Sequence, residues 1–215
     1  MHYPAAMAGL VTAPSGVGTL IAMVVVGRLI GKVDFRMLLL FGFSITAISL
    51  WQMSGYTLVL SQSDIVWPGV VQGIGLGLVF VPLSTATFAT VSASMRAQGT
   101  AIYSLIRNIG SSIGIALVQA LLVRNTQIMH VSLAEKINYA NPAFQDAAIA
   151  SAYGPGNSAG LAALNVEVSS QAAMIGYTND FRLMMILVLM VIPLLLLVQS
   201  PKSRAPAPIE HIAAE

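Results

Sequence analysis

Residues Ala101–Val123 read AIYSLIRNIGSSIGIALVQALLV, an apolar run broken by a single charge, Arg107. A helix needs about 20 such residues to cross roughly 30 Å of hydrocarbon. Working outward from this run, four more stretches meet the same test: Tyr3–Gly27, Met37–Tyr56, Ile65–Val91 and Phe181–Val198. The first three carry no charge, and the last has only Arg182, in its first turn. The composition agrees. The 215 residues are 56% hydrophobic and 8% charged, against about 25% charged in an ordinary soluble domain. Ten Lys+Arg and eight Asp+Glu cannot cover a soluble fold of this size. Most soluble enzymes, nucleic-acid binders and disordered proteins are thereby excluded. With no Cys, the chain has no disulfide scaffold, thiolate nucleophile or Cys-based metal site. The expected fold class is an all-α membrane protein with five transmembrane helices.

Basic residues in short loops orient such a chain. Arg28, Lys32 and Arg36 separate spans one and two, Arg96 separates spans three and four, and Lys202 and Arg204 follow span five. These segments are expected on the cytoplasmic side, with the N-terminus outside and the C-terminus inside. Residues 57–64 and a long loop, 124–180, fall on the outer side. That loop is too long to lack structure of its own. Ser132 and Glu135 fit a capping box. Asn141-Pro142 reads as the start of a short helix, ended by Gly154-Pro155-Gly156. Residues 159–177 read as an interfacial or surface helix, because Glu167 interrupts a weakly apolar stretch. The tail, 201–215, reads as cytoplasmic and disordered.

The polar and small residues inside the spans carry the functional question. An intramembrane Arg costs a few kcal/mol on insertion scales. Arg107 therefore either snorkels to the headgroups or, with Asn108, lines a cavity or braces a helix contact. Gln72 and Gln119 are uncharged groups of the same kind. Gly73, Gly75 and Gly77 in span three, and Gly110 and Gly114 in span four, are expected at helix contacts; Gly73/Gly77 and Gly110/Gly114 have GxxxG spacing. A substrate path lined by backbone is the other reading of these glycines. Pro14 and Pro82 interrupt spans one and three and can bend them. Asp64 and Asp180 stand at outer edges and no acid lies within a span, so an obvious proton carrier is missing. No HExxH, intramembrane Ser/His pair or metal cluster is present, which argues against a membrane enzyme.

Three stretches in order carry a resemblance: AGLVTAPSGVGTLIAMVVVGRLIGKVDFR, WPGVVQGIGLGLVFVPLSTATFA and QGTAIYSLIRNIGSSIGIALVQALLVRNTQ. With the long outer loop and a closing span ending LVQSPK, the chain resembles the C-terminal part of the fourteen-span drug:proton antiporters of the major facilitator superfamily, the EmrB/QacA type. The resemblance covers Tyr3 to about Lys202. It implies a partial C-terminal bundle over residues 1–200 and export of lipophilic compounds across the bacterial inner membrane. It implies a proton gradient in place of a cofactor. The implied partners are the missing N-terminal half, a periplasmic adaptor and an outer-membrane channel. Gly27, Lys32 and Arg36 match the family's cytoplasmic loop motif, Gly-x-x-x-Asp-Arg-x-Gly-Arg-Arg, while Gly31 replaces its Asp and Asp34 its second Gly. The alternative is a non-transporting membrane subunit or a decayed transporter remnant.

Overall fold

The computed structural model describes residues 5–89, 91–137, 142, 153 and 158–197. It contains five long helices: α1 Ala5–Leu29, α2 Phe35–Met53, α3 Gln62–Ala89, α4 Arg96–Ala134 and α5 Ser158–Leu197. A 3₁₀ turn, Ala93–Met95, precedes α4. All five helices are long and apolar enough to cross a membrane. The expectation of an all-α membrane protein with five spans agrees with this architecture.

Successive helices run antiparallel. Gly18 meets Val70 and Gly77 meets Ala22, so α1 and α3 lie side by side and parallel. Gly42 meets Val79, and Ser49 Oγ donates to the Pro68 carbonyl at 2.7 Å, so α2 runs against α3. Helix α3 is thus the centre of a three-helix cluster. Helices α4 and α5 form a separate antiparallel pair, joined to the cluster where α5 packs on α2.

The glycines of α3 explain the close approach. A Cβ on Gly73 would run into the Ser15 carbonyl, and one on Gly77 would stand 2.7 Å from the Ala22 Cβ. Gly75 points to the other side, against Gly42 and Thr46 of α2. Thr46 and Ser49 are buried in this contact, and both hydroxyls are satisfied by carbonyls, Gly42 and Pro68 respectively. Small residues suit a bilayer because lipid gives apolar side chains no reason to seek one another, so van der Waals proximity must hold the helices.

The turn between α1 and α2 rests on Gly31, whose φ of +88° favours glycine. Lys32 and Val33 both donate backbone N–H groups to the Leu29 carbonyl, which closes the turn.

The helix ends differ from the sequence boundaries most at residues 124–180. Helix α4 continues to Ala134, and α5 begins at Ser158 and runs unbroken into the last span. Ser132 is therefore in the last turn of α4, not at an N-cap, and Glu135 is its C-cap, donating to the Leu133 and Val131 carbonyls. Nothing between Arg124 and Ala134 breaks a helix, so leaving the apolar region does not end it. The surface helix expected at 159–177 is the first half of α5. Asn141, Gly154-Pro155-Gly156 and the tail 201–215 lie outside the described residues.

Substitution separates the tight contacts from the open ones. Gly73→Ala should destabilise the protein by about 1–3 kcal/mol through overpacking against α1. Gly110→Ala, where a Cβ meets open space, should be neutral or gain up to about 1 kcal/mol of helix propensity. Thermal unfolding of both variants in detergent checks the contrast.

Candidate functional site

Helix α4 carries the most unusual surface in the molecule. Ser104, Arg107, Asn108, Ser111 and Gly114 recur at three- and four-residue spacing and so share one face. Ile102, Leu105, Ile106, Ile109, Ile113 and Leu117 occupy the opposite face and are exposed. An apolar face turned to hydrocarbon costs nothing, whereas the polar face, with its cation, needs water or protein against it.

Arg107 stands about 16 Å from the start of α4 at 1.5 Å per residue. Its guanidinium carbon lies 4.6 Å from the centroid of the Phe80 ring on α3. One contact nearer the helix start, Tyr103 meets Phe88 edge-on at 5.4 Å. These two contacts pair α3 and α4 in antiparallel order, Phe88 with Tyr103 and Phe80 with Arg107. Arg107 also reaches across to a neighbouring helix, where the ring quadrupole partly offsets its desolvation. Asn108 beside it is exposed, and its carbonyl accepts from Ser111 Oγ at 3.0 Å.

The other residues singled out by sequence fall in distinct places. Gly73, Gly75 and Gly77 are buried contact points, while Gly110 and Gly114 have nothing within 4 Å of a built Cβ. Those two glycines join no described helices. Gln72 is half-buried in α3, and Gln119 is exposed on α4. Gly27, Lys32 and Asp34 lie exposed at the α1–α2 turn. Asp34 occupies the N-cap of α2 without a side-chain cap bond, and Arg36 has its Nε buried with no described partner. The structure therefore brings Arg107, Asn108, Gly110 and Gly114 together on one helix and leaves the loop residues apart from them. Among the described residues no cluster of His, Asp or Glu could hold a metal.

Sequence reasoning missed a second polar contact. Asn125 Nδ2 donates to Asp180 Oδ1 at 3.5 Å across α4 and α5. Close by, Gly176 lets Leu122 and Thr126 of α4 approach. The signal was the run Val168, Ala172, Gly176, Asp180, four residues at four-residue spacing, the first three inside the stretch 159–177 expected as a surface helix. Towards the tips of the two helices, His130 Nε2 and Asn165 Oδ1 lie 3.1 Å apart.

At the far end of α2, Gln52, Gly55, Tyr56, Asp64 and Trp67 line an open cavity of about 320 Å³. The Tyr56 hydroxyl donates to the Asp64 carbonyl oxygen at 3.1 Å, and its ring meets Phe181 edge-on at 6.0 Å. Burial, with the Asp64 charge adding to it, raises the Tyr56 phenol above its ordinary 10.0.

No family model matches the chain. Relatives do. The chain is 26% identical over 202 residues to the fatty acid resistance protein FarB of Neisseria gonorrhoeae, a match covering 94% of the chain and 40% of FarB. It is 29% identical over 187 residues to the multidrug export protein EmrB of Haemophilus influenzae, covering 84% of the chain and 36% of that protein. The probable multidrug resistance protein EmrY of Escherichia coli matches 85% of the chain at 28% identity, and the match covers 36% of EmrY. The chain is homologous to the EmrB-type exporters. It spans about two fifths of the length of these relatives or slightly less.

Two measurements test the geometry. A double-mutant cycle of Arg107→Ala and Phe80→Leu should give a coupling of about 0.5–2 kcal/mol in thermal unfolding. Because the folded-state pKa of Tyr56 is raised, its contribution is full below the unfolded value and fades as pH rises through the folded one. Stability should therefore decline in strong alkali, and Tyr56→Phe should remove that part of the decline.

Proposed function

We propose that this chain supplies the C-terminal helices of a proton-coupled multidrug exporter in the bacterial inner membrane. The observation that carries the reading is the polar face of α4 around Arg107, set in a helix otherwise suited to lipid. Such a face fits an aqueous, substrate-passing space between two helix bundles. The substrates are lipophilic compounds, in keeping with the names of EmrB and FarB. The N-terminal helices of the exporter supply the other wall of that space. The basic residues Arg28, Lys32, Arg36 and Arg96 put their end of the bundle in the cytoplasm, with the N-terminus outside and the C-terminus inside. A periplasmic adaptor and an outer-membrane channel would complete the route out of the cell. Gly27, Lys32, Asp34 and Arg36 form the cytoplasmic loop between α1 and α2. Gln72 is a secondary polar contact in the cavity wall.

The test pairs this chain with the N-terminal nine helices of an EmrB relative in an efflux-deficient strain. Retention of a fluorescent lipophilic dye is the readout. Co-expression should lower retention, and a protonophore should restore it. Arg107→Ala should reduce efflux several-fold at equal membrane abundance. Efflux equal to that of the unsubstituted pair would leave Arg107 a snorkelling residue. No efflux from any pairing would favour a non-transporting membrane subunit.

A further inference from the structure

Asp180 is 4% exposed in the interior of α5. Its Oδ1 has one long hydrogen bond, from Asn125 at 3.5 Å. Its Oδ2 is buried with no hydrogen-bond partner among the described residues. An ionised carboxylate offers about four acceptor positions, and here a single neutral amide answers them. A buried charge so poorly compensated costs far more than the neutral acid, whose O–H needs only one acceptor.

Among the described residues no cation changes that balance. Arg124 of α4 is exposed, and His130 of α4 is engaged with Asn165. From the α2 side comes Tyr56, stacked edge-on against Phe181, with Asp64 behind it. On α5 itself, Tyr177 and Arg182 are exposed. Arg182 lines a cavity with Trp51, Gln52, Ser54 and Gly55 of the α2 end. None of these groups makes an ion pair with Asp180.

Position adds the second observation. Leu122 is the one buried residue of α4, and it packs against Gly176, one turn before Asp180. From Leu122 back towards Arg96, α4 has no buried residue, while α5 passes to α2 near Phe181. Asp180 therefore stands in the crotch where the two helices part.

We propose that the Asp180 carboxyl is a proton-binding site at the fork of α4 and α5. The proton is held while the fork is closed around Asn125. When the fork opens, water enters, the carboxyl O–H bond breaks and the proton passes to that water. The site is a property of this chain and does not rest on the export reading, because its test reads protonation directly.

The test is an infrared pH titration of the full chain in lipid nanodiscs, following the protonated-carboxyl stretch. Wild type should keep that band above the pH at which an ordinary carboxyl, at about 3.9, loses it. Asp180→Asn should lack it. Thermal unfolding should agree. Since the folded state binds this proton more tightly than the unfolded one, stability should fall as pH rises through the titration, and Asp180→Asn should remove that fall. If Asp180→Asn does not fold, Asn125→Ala serves instead. Losing the donor that favours the charged form should move the loss of the band to higher pH. A band that disappears at the ordinary carboxylate value of about 3.9, one unchanged in Asp180→Asn, or one unmoved in Asn125→Ala would overturn the proposal.

Discussion

The approach of α3 to two helices at once is the contact on which the rest of the fold depends. In hydrocarbon, burying Leu or Val against another helix gains little, because lipid tails are equally apolar. Backbone-to-backbone proximity must therefore do the holding, and only glycine permits it at the distances seen here. Gly73 and Gly77 open α3 to α1, and Gly75, about half a turn out of phase with them, opens it to α2. Gly18 and Gly42 answer from the partner helices. The Ser49 hydroxyl then ties α2 to the Pro68 carbonyl within α3.

Helices α4 and α5 obey a different logic. At 1.5 Å per residue, 39 and 40 residues are about 58–60 Å long, roughly twice the hydrocarbon thickness. The excess is paired helix beyond the length a span requires. Towards its tip the contact between the two helices is polar, where His130 meets Asn165. Closer to the bilayer the pairing relies on Gly176 against Leu122 and Thr126, and it ends at Asn125 and Asp180. Past that point α4 leaves α5, and its described side-chain contacts are to Phe80 and Phe88 of α3.

What was legible in the sequence follows from this difference. Spans one to three begin and end near charges or polar turns, so loss of hydropathy and loss of helix coincide; Arg28 and Gly31 mark one such end. At Val123 they do not coincide. Arg124 signals departure from the membrane, but a charged residue does not stop a helix, and neither Pro nor Gly follows until Pro142. The Gly73–Gly77 run was readable as a contact because small residues every fourth position have few other uses. Gly110 and Gly114 share that spacing yet face open space, since spacing says which face a residue occupies and not what covers it. The burial of Asp180, expected at an outer span edge, was not readable for a related reason. Its burial depends on Gly176 and Asn125, which are remote from each other in sequence and meet only when the hairpin closes.

The two polar features of α4 are linked by helical periodicity. Arg107 and Asn125 are eighteen residues apart, which is five full turns, so they project from the same side of the helix. Along that one face α4 carries first a cation over Phe80 and then the donor to a buried acid. Helix α5 covers the Asn125 end and leaves the Arg107 end open. Parting of α4 and α5 at Asn125 would wet Asp180, whereas the Arg107 end of α4 meets α3 through Phe80 and is not covered by α5.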